Sequence, residues 1–266
     1  MKIRLDEILV NQNLAENRSK AKAMIKDQKI IYINNKQITK PGMLFENDIE
    51  IEIKGEENHY VSRAGLKLDK AIKKWEINLN NLICMDIGAS TGGFTQCCLE
   101  NGAKMVYSVD VGQDQLHESL KNNSKVINIE KYNFRNANVE DFSEVIDFIC
   151  CDVSFISVEK ILIPLKSILK DQGLGVILIK PQFESEISEV KNGKVNSKEI
   201  HLKDIHKVFK YATNNGFSVL DLTFSPIKGN KKQNIEYLAL IKKENKPFVS
   251  ITDENINVVI NQAWLI

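Results

Sequence analysis

The chain contains 266 residues, of which 43% are hydrophobic and 27% are charged, with only 5 prolines and 13 glycines. This composition excludes disordered, collagenous and disulfide-stapled classes, and the length is sufficient for two domains. The 36 basic and 35 acidic side chains give a net charge of +1. By itself this value argues against a nucleic-acid partner, because such binders usually carry a basic surface.

The average charge hides an asymmetry along the chain. Residues 1–74 carry a net charge of +4, so the remainder carries −3. Between Arg18 and Lys40, seven basic side chains face a single acid, Asp27. Such a block could neutralise several phosphates and bind RNA or DNA in a salt-dependent way, although a solvated helix face would look the same by charge alone.

Residues 1–55 are predicted to form a small α+β domain. The predicted elements are, in chain order, a helix over Arg4 to Val10, a helix capped by Ser19, strands at 30–33 and 37–39 around an Asn34-Asn35 turn, and a strand over 49–53. The polar segment 54–59 is interpreted as a linker to a second domain, residues 60–266.

The second domain alternates apolar strands with amphipathic helices. Strands are predicted at 82–86, 105–110, 126–129, 145–151, 175–180, 218–224 and 235–241. Such a pattern is typical of a mostly parallel sheet covered on both faces. Only a turn separates the last two strands, which should therefore pair antiparallel. The sequence predicts an α/β, Rossmann-like fold with seven strands, the class I methyltransferase arrangement.

The five cysteines form no C-x-x-C pair and lie in apolar runs: Cys84, Cys97, Cys98, Cys150 and Cys151. We interpret them as buried, reduced thiols, in preference to a disulfide framework or a zinc site. The first residues lack the apolar region of a signal peptide, and no segment approaches the about 18 apolar residues of a membrane span. We expect a cytoplasmic monomer that binds no metal and no membrane.

Glycines cluster after the first strand of the second domain, in the segment Asp86 to Phe94. A dinucleotide fingerprint would need glycine at Ser90, and a P-loop would need a Lys-Ser/Thr pair that is absent. Asp110 ends the next strand, where a carboxylate can bind both hydroxyls of an adenosine ribose. Together these features favour S-adenosylmethionine over a generic tight turn.

Four charged residues lie where a parallel sheet places its active site. Asp152 follows an apolar strand, Lys180 ends another, Glu236 opens the last strand, and Lys67 lies on the helix before the first. A buried lysine is costly unless it is paired, and two carboxylates would balance two lysines. Any one of these residues could form an ordinary salt bridge. All four together suit methylation of a ribose hydroxyl, whose weak nucleophilicity requires a group that orients it or takes its proton.

The series of motifs resembles the TlyA family, in which an S4 RNA-binding domain precedes an FtsJ-like rRNA 2′-O-methyltransferase domain. The similar segments are Arg4 to Leu9, Arg18 to Ile25, 41–53, Val61 to Leu68, Asp86 to Thr95, Asp110 to Gly112, Asp152 to Ser157, Lys180 to Glu184, Ser225 to Asn230 and Asn234 to Glu236. The resemblance covers nearly the whole chain.

The resemblance implies methyl transfer from S-adenosylmethionine to the 2′-hydroxyl of cytidine in 16S or 23S ribosomal RNA. It implies a catalytic tetrad in which Lys180 faces the hydroxyl, Asp152 and Glu236 polarise Lys180, and Lys67 is a second cation. The implied cofactor-binding residues are Asp86, Gly88, Ala89, Ser90, Thr91, Gly92, Gly93, Phe94, Asp110, Val111, Asn133, Phe134 and Asp152, with 133–135 near the adenine. The implied RNA-binding residues are Arg4, Arg18, Ser19, Lys20, Lys22 and Arg63.

Two alternatives remain open at this point. Members of the family are also named hemolysins, and a membrane-active protein should offer a spanning or strongly amphipathic segment, which the sequence does not show. The other alternative is an RNA-binding ribosome assembly factor with an inert methyltransferase domain. The presence of all four tetrad residues argues against it.

Overall fold

The computed structural model describes residues 2–26, 30–33, 36–54, 59–229 and 232–266. The chain forms two compact units, Met1–His59 and Tyr60–Ile266. The predicted Asn34-Asn35 turn, most of the predicted linker, Asp27 and Lys29 of the basic block, and Asn230 of the penultimate motif lie outside the described residues.

The described residues of the first unit form two helices and five short strands. Its elements are β1 Lys2–Arg4, α1 Leu5–Asn11, α2 Arg18–Lys26, β2 Ile30–Ile33, β3 Lys36–Ile38, β4 Leu44–Glu46 and β5 Glu52–Lys54. β1 pairs antiparallel with β4, and β2 pairs antiparallel with both β3 and β5. Leu5 and Leu9 of α1 pack with Ala21 and Ile25 of α2 in a small apolar core. This arrangement confirms the predicted α+β class.

Two local predictions for this unit were wrong, and two strands were missed. Asn17, and not Ser19, caps α2, because its side-chain oxygen accepts the backbone N–H of Lys20 at 2.9 Å. The alternating segment 49–53 forms a strand only from Glu52, since Ile49 and Ile51 pack on the core without continuing the pairing with β2. β1 and β4 were not predicted, because three-residue strands carry too little periodicity.

The second unit is a seven-stranded sheet with helices on both faces. Its helices are α3 Gly65–Trp75, α4 Gly93–Glu100, α5 Glu118–Lys121, α6 Glu159–Ile168, α7 Pro181–Glu184, α8 Lys198–Asn214 and α9 Asp253–Ala263. Its strands are β6 Ile83–Ile87, β7 Met105–Val109, β8 Val126–Ile129, β9 Ile146–Cys151, β10 Leu169–Ile179, β11 Phe217–Phe224 and β12 Tyr237–Lys243.

The strand order is β11-β12-β10-β9-β6-β7-β8, and only β12 is antiparallel to its neighbours. The predicted Rossmann-like class I methyltransferase arrangement, a mostly parallel sheet ending in an antiparallel pair, is therefore confirmed. One face packs against α3 and α4, and the other packs against α6, α8 and α9. All five cysteines are buried free thiols in these layers, as predicted.

The sheet gathers the predicted site residues at one edge. Because β6, β7, β9 and β10 are parallel, the residues that follow them meet at the carboxyl edge. β12 runs the other way, and its first residue, Tyr237, pairs with Ile179 at the end of β10. Glu236, directly before Tyr237, therefore reaches the same edge.

Candidate active site

A buried charge cluster lies at the carboxyl edge of the sheet. The ammonium of Lys67 on α3 lies 2.9 Å from Asp152 Oδ2 and 2.7 Å from Glu236 Oε2. The ammonium of Lys180 lies 2.5 Å from Asp152 Oδ1 and donates to Ser154 Oγ at 2.9 Å. Asp152 thus bridges two lysines. The predicted tetrad residues are brought together by four separate elements.

One predicted pairing within this cluster was wrong. Glu236 was expected to polarise Lys180, but among the described residues its ion-pair partner is Lys67. The reason is geometric: α3 crosses beside the start of β12 and places Lys67 between the two carboxylates. The formal charges still balance as predicted, because two lysines face two acids.

The environment fixes the charge states of Asp152 and Lys67. Burial raises the pKa of Asp152, but attraction to Lys67 and Lys180 outweighs it and lowers this pKa to about 2. Burial opposes the charge of Lys67, but Asp152 and Glu236 outweigh it and raise the pKa of that ammonium. Asp152 is therefore ionised and Lys67 protonated at neutral pH.

A cavity of about 500 Å³ opens beside the cluster, with Asp152 in its wall. Seven of the predicted cofactor residues line it: Gly88, Ser90, Asp110, Val111, Asn133, Phe134 and Asp152. Gly88 has φ of +83°, and a Cβ there would lie 2.9 Å from the Asp152 carbonyl oxygen. The close approach of these two loops therefore requires glycine.

Asp110 organises the mouth of this cavity. One carboxylate oxygen accepts the backbone N–H of Ser90 at 2.8 Å, and the other accepts that of Gly112 at 2.7 Å. Each carboxylate oxygen can accept a second hydrogen bond. Asp110 can therefore bind two hydroxyls of a ligand while it holds both loops in place.

The other predicted cofactor residues shape the loop without lining the cavity: Asp86, Ala89, Thr91, Gly92, Gly93 and Phe94. Asp86 is fully buried and accepts a hydrogen bond from Thr95 at 2.7 Å. A Cβ on Gly92 would lie 2.3 Å from Leu120, and one on Gly93 would lie 2.4 Å from Ser62. These glycines permit close packing around the loop.

Several cavity residues were missed by the sequence analysis: Gln115, Tyr132, Val153, Ser154, Phe155, Ile156 and Ile161. Arg135, which was expected near the adenine, also lines the cavity. Phe155 is 87% exposed, has φ of +66°, and packs on Phe183 with ring centroids 5.1 Å apart. A bulky residue with positive φ costs backbone strain, and such strain clusters at functional sites. The sequence did hold one clue to residues 153–156 as cavity residues: they directly follow Asp152, which was predicted to bind the cofactor.

Three of the predicted RNA-binding residues of the first unit converge on one buried acid, Asp6. The guanidinium of Arg4 binds Asp6 at 2.9 Å, that of Arg18 lies 3.5 Å from it, and the ammonium of Lys22 lies at 3.8 Å. Lys20 pairs with Glu16 at 2.7 Å. The side chains of Arg18, Lys20 and Lys22 remain largely exposed. Ser19 lies on the same helix, and Arg63 belongs to the second unit, directly before α3.

Glu184 is a buried carboxyl that joins two loops of the site. It accepts the hydroxyl of Ser157 at 2.7 Å and the backbone N–H of Val158 at 2.8 Å. It thereby ties α7, which follows Lys180, to the loop that follows Asp152. Burial raises the pKa of Glu184 to about 7, although both hydrogen bonds oppose the rise.

We expect Glu184→Leu to destabilise the protein by about 2 to 4 kcal/mol, because it leaves the half-buried Ser157 hydroxyl and the buried Val158 N–H without their acceptor. Glu184→Gln can bind both groups and should cost less than about 1 kcal/mol at pH 5. A raised carboxyl pKa means that the folded state binds a proton that the unfolded state releases. The stability of the wild type should therefore fall as pH rises from about 5 to 8. Denaturant titrations should show a smaller fall for Glu184→Gln, and equal falls would contradict this reading.

No cluster of three or more potential metal ligands occurs in the part of the chain that the structure describes. Within the same residues, no helix combines the length and apolar character needed to cross a membrane.

Comparisons with known proteins match both units. Residues 60–243 match the FtsJ-like methyltransferase family, and residues 3–46 match the S4 domain. The 16S/23S rRNA (cytidine-2′-O)-methyltransferase TlyA of Mycobacterium tuberculosis is 31% identical over 243 residues, which cover 91% of this chain and 90% of that protein. Hemolysin A of Brachyspira hyodysenteriae is 41% identical over 239 residues, which cover 89% and 98% respectively.

A solved structure is similar over almost the whole chain. It is described as a candidate hemolysin from Streptococcus thermophilus and superposes with a TM-score of 0.80 at 42% identity. The alignment covers 99% of this chain and 96% of that chain.

Proposed function

Because this chain belongs to the TlyA family, in which an S4 domain precedes an FtsJ-like methyltransferase domain, we propose that it transfers a methyl group from S-adenosylmethionine to the 2′-hydroxyl of a cytidine in ribosomal RNA. One observation carries the proposal: Asp152 lies in the wall of the cavity and also binds Lys67 and Lys180. The cavity for a methyl donor and the groups that prepare an acceptor hydroxyl therefore share one carboxylate.

The cavity fits the cofactor in size and chemistry. About 500 Å³ lies within the range of small-ligand sites. We assign Asp110 to the ribose hydroxyls, the backbone of Gly88 and Ser90 to the amino-acid end, and Val111, Asn133 and Phe134 to the adenine. Ala89, Thr91, Gly92, Gly93, Phe94 and Asp86 hold the loop in shape. When bound, S-adenosylmethionine supplies a methyl group on a positively charged sulfur.

The tetrad prepares the acceptor hydroxyl. Lys180 is the residue that we place against the ribose, to orient the hydroxyl for in-line attack. The hydroxyl proton passes to Lys180 when that side chain is a neutral amine, since an ammonium has no lone pair to accept it. The ionised Asp152 holds Lys180 in position and keeps the second cation, Lys67, beside the site. Glu236 fixes Lys67 from the other side. Because Lys67, Lys180 and Glu236 are buried and each already has an ion-pair partner, the site is organised before substrate arrives.

We assign RNA capture to residues 1–55 and catalysis to residues 60–266. In the first domain, Arg4, Arg18, Ser19, Lys20 and Lys22 face phosphates, and Asp6 orders three of the cations, whose summed charge exceeds its own. In the second domain, Arg63 precedes the helix that carries Lys67. A protein with this substrate works in the cytoplasm, and it acts as a monomer because one chain supplies both the cavity and the tetrad.

Neutralising two lysines of α2 is expected to weaken RNA binding. The double variant Lys20→Gln, Lys22→Gln should lower affinity and reduce the slope of log K against log salt by about 1 to 2, because each lysine at a phosphate releases counterions. Lys20 pairs with the exposed Glu16, and the buried Asp6 keeps Arg4 and Arg18 as partners when Lys22 is neutralised, so folding should be preserved. Filter binding across a salt series measures both quantities.

A matched control uses two exposed lysines of the second domain. Lys104→Gln, Lys210→Gln removes the same charge and should leave the salt slope within error of the wild type. A slope that both double variants leave unchanged would indicate that α2 presents a solvated face.

The decisive experiment incubates the protein with unmodified ribosomal subunits and labelled S-adenosylmethionine, followed by nucleoside mass spectrometry. We expect label in 2′-O-methylcytidine. Label on a base would contradict the ribose mechanism, and RNA binding without any label would favour an inert methyltransferase domain. Lysis of red cells by protein that transfers no methyl group would favour the membrane-active alternative.

A further inference from the structure

Helix α3 carries basic residues beyond the catalytic one. Lys67, Lys70 and Lys74 are spaced three and four residues apart, so they lie on one side of the helix. Lys67 reaches the tetrad, whereas Lys70, Lys73 and Lys74 line a separate surface groove of about 600 Å³. The rest of the groove is formed by Leu66, Asp69, Pro226 and Ile227.

Lys70 is a half-buried cation with no carboxylate partner among the described residues. Its ammonium donates to the backbone oxygen of Phe224 at 2.7 Å and lies 3.4 Å from the centroid of the Phe224 ring. Burial, and then the neighbouring charge of Lys74, lower the pKa of Lys70 to about 8. A cation held in this way is still mostly protonated at neutral pH. An anion bound in the groove would compensate the Lys70 ammonium for the hydration that it loses on burial and for the repulsion by Lys74.

The other groove lysines have acidic partners, but the groove stays cationic. Lys73 pairs with Asp69 at 2.8 Å and Lys74 pairs with Asp221 at 3.1 Å. Three lysines therefore face two acids, and the excess charge resides at Lys70. The apolar side chains on the walls are suited to sugar or base surfaces rather than to a fully hydrated ion.

The groove lies beside the proposed active site, along the same helix. Lys70 lies about 4.5 Å along the helix axis from Lys67, one turn away. On the other wall, Phe224 ends β11, and the next residue, Ser225, donates its backbone N–H to the backbone oxygen of Glu236 at 2.8 Å. A strand whose ribose lies at the tetrad would thus leave the site between α3 and the turn that begins at Ser225.

We propose that this groove binds the phosphate backbone of the substrate RNA next to the methylated nucleotide, with Lys70 as the principal phosphate contact. The inference rests on the proposed function and adds to it a positioning surface on the catalytic domain itself. RNA is the occupant that fits this groove, because the cationic charge lies beside the acceptor site and the groove walls are apolar.

The test compares Lys70→Met, which keeps the side-chain stem over Phe224, with the wild type and with Lys70→Arg. We expect Lys70→Met to raise KM for ribosomal subunits about 5- to 10-fold, with kcat within twofold, and to reduce the slope of log kcat/KM against log salt by about 1. Lys70→Arg should restore most of the loss. The affinity for S-adenosylmethionine should not change in either variant.

Lys104→Gln serves as the charge-matched control and should behave as the wild type. Thermal melts of the full chain distinguish a binding effect from misfolding. An unchanged KM and salt slope in Lys70→Met, in a preparation whose wild type methylates cytidine, would overturn the groove assignment and leave the proposed function intact. A wild type that transfers no methyl group would instead overturn the proposed function.

Amine acylation provides a second readout that requires no turnover. With the wild-type protein, ribosomal RNA should protect Lys70 from acylation severalfold, whereas Lys104 should react equally with and without RNA. Protection of Lys70 by polyglutamate and not by RNA would overturn the assignment in favour of an acidic protein partner.

Discussion

Lys180→Ala is expected to reduce methyl transfer by about 10²- to 10⁴-fold, the usual range for loss of a positioned acid or base. Lys180 contacts Asp152 and Ser154 but does not line the cavity, so the affinity for S-adenosylmethionine should stay within about threefold of the wild type. Single-turnover rates with ribosomal subunits measure the first quantity, and calorimetric titration measures the second.

The control for this variant is Lys170→Ala. Lys170 lies near the start of the same strand, is largely exposed and pairs with Asp147 at 2.6 Å, far from the carboxyl edge. Its removal should leave turnover unchanged. A Lys180→Ala protein that keeps more than about one tenth of wild-type turnover would contradict the role assigned to Lys180.

Lys67→Met is expected to destabilise the protein by about 3 to 5 kcal/mol and to inactivate it. The substitution removes the cation that Glu236 and Asp152 share in a buried site, and a buried charge without its partner carries a large desolvation cost. For a unit of this size, the loss corresponds to a fall in Tm of roughly 6 to 20 °C. Thermal and urea unfolding of the full chain measure it.

A double-mutant cycle isolates the cause of this loss. Lys67→Met leaves the Glu236 carboxylate without its ion-pair partner, and Glu236→Gln removes that negative charge. The double variant should therefore recover part of the stability lost by Lys67→Met alone. Additive losses would show that the lysine stabilises by packing and not by charge. A Lys67→Met protein within about 1 kcal/mol of the wild type would refute the buried-network interpretation.

The strands of the second unit were predictable because each is a local apolar run. Val126–Ile129 was predicted to the residue, and the other strands were found with shifts at their ends. β10 begins at Leu169, six residues before its prediction, because the polar segment 170–172 conceals the strand. The segment after Pro247 carried no assignment. The structure forms α9 there and packs Ile256 and Ile260 against the sheet layer.

The candidate site was only partly predictable. Asp110 and Gly88 could be assigned from their positions after strands, and both line the cavity. Gly92 and Gly93 belong to the same glycine cluster and were also predicted to bind the cofactor, but they serve packing. The side chains that pack against them are Leu120 and Ser62, and no local sequence pattern connects these residues to the loop. Glu184 was visible only as part of a motif, since its partners lie 26 and 27 residues away.

The sequence by itself determined the two-domain organisation, the strand ends that carry charge and the basic character of the first domain, because hydrophobic periodicity, turn chemistry and charge are local properties. Only the tertiary structure decided which charges meet. Lys67 is 85 residues from Asp152 and 169 from Glu236. Their contact depends on α3 crossing the sheet edge and on β12 inserting antiparallel between β10 and β11. Ion pairing in a buried site is fixed by distances of a few ångströms, and distances on that scale arise only from packing.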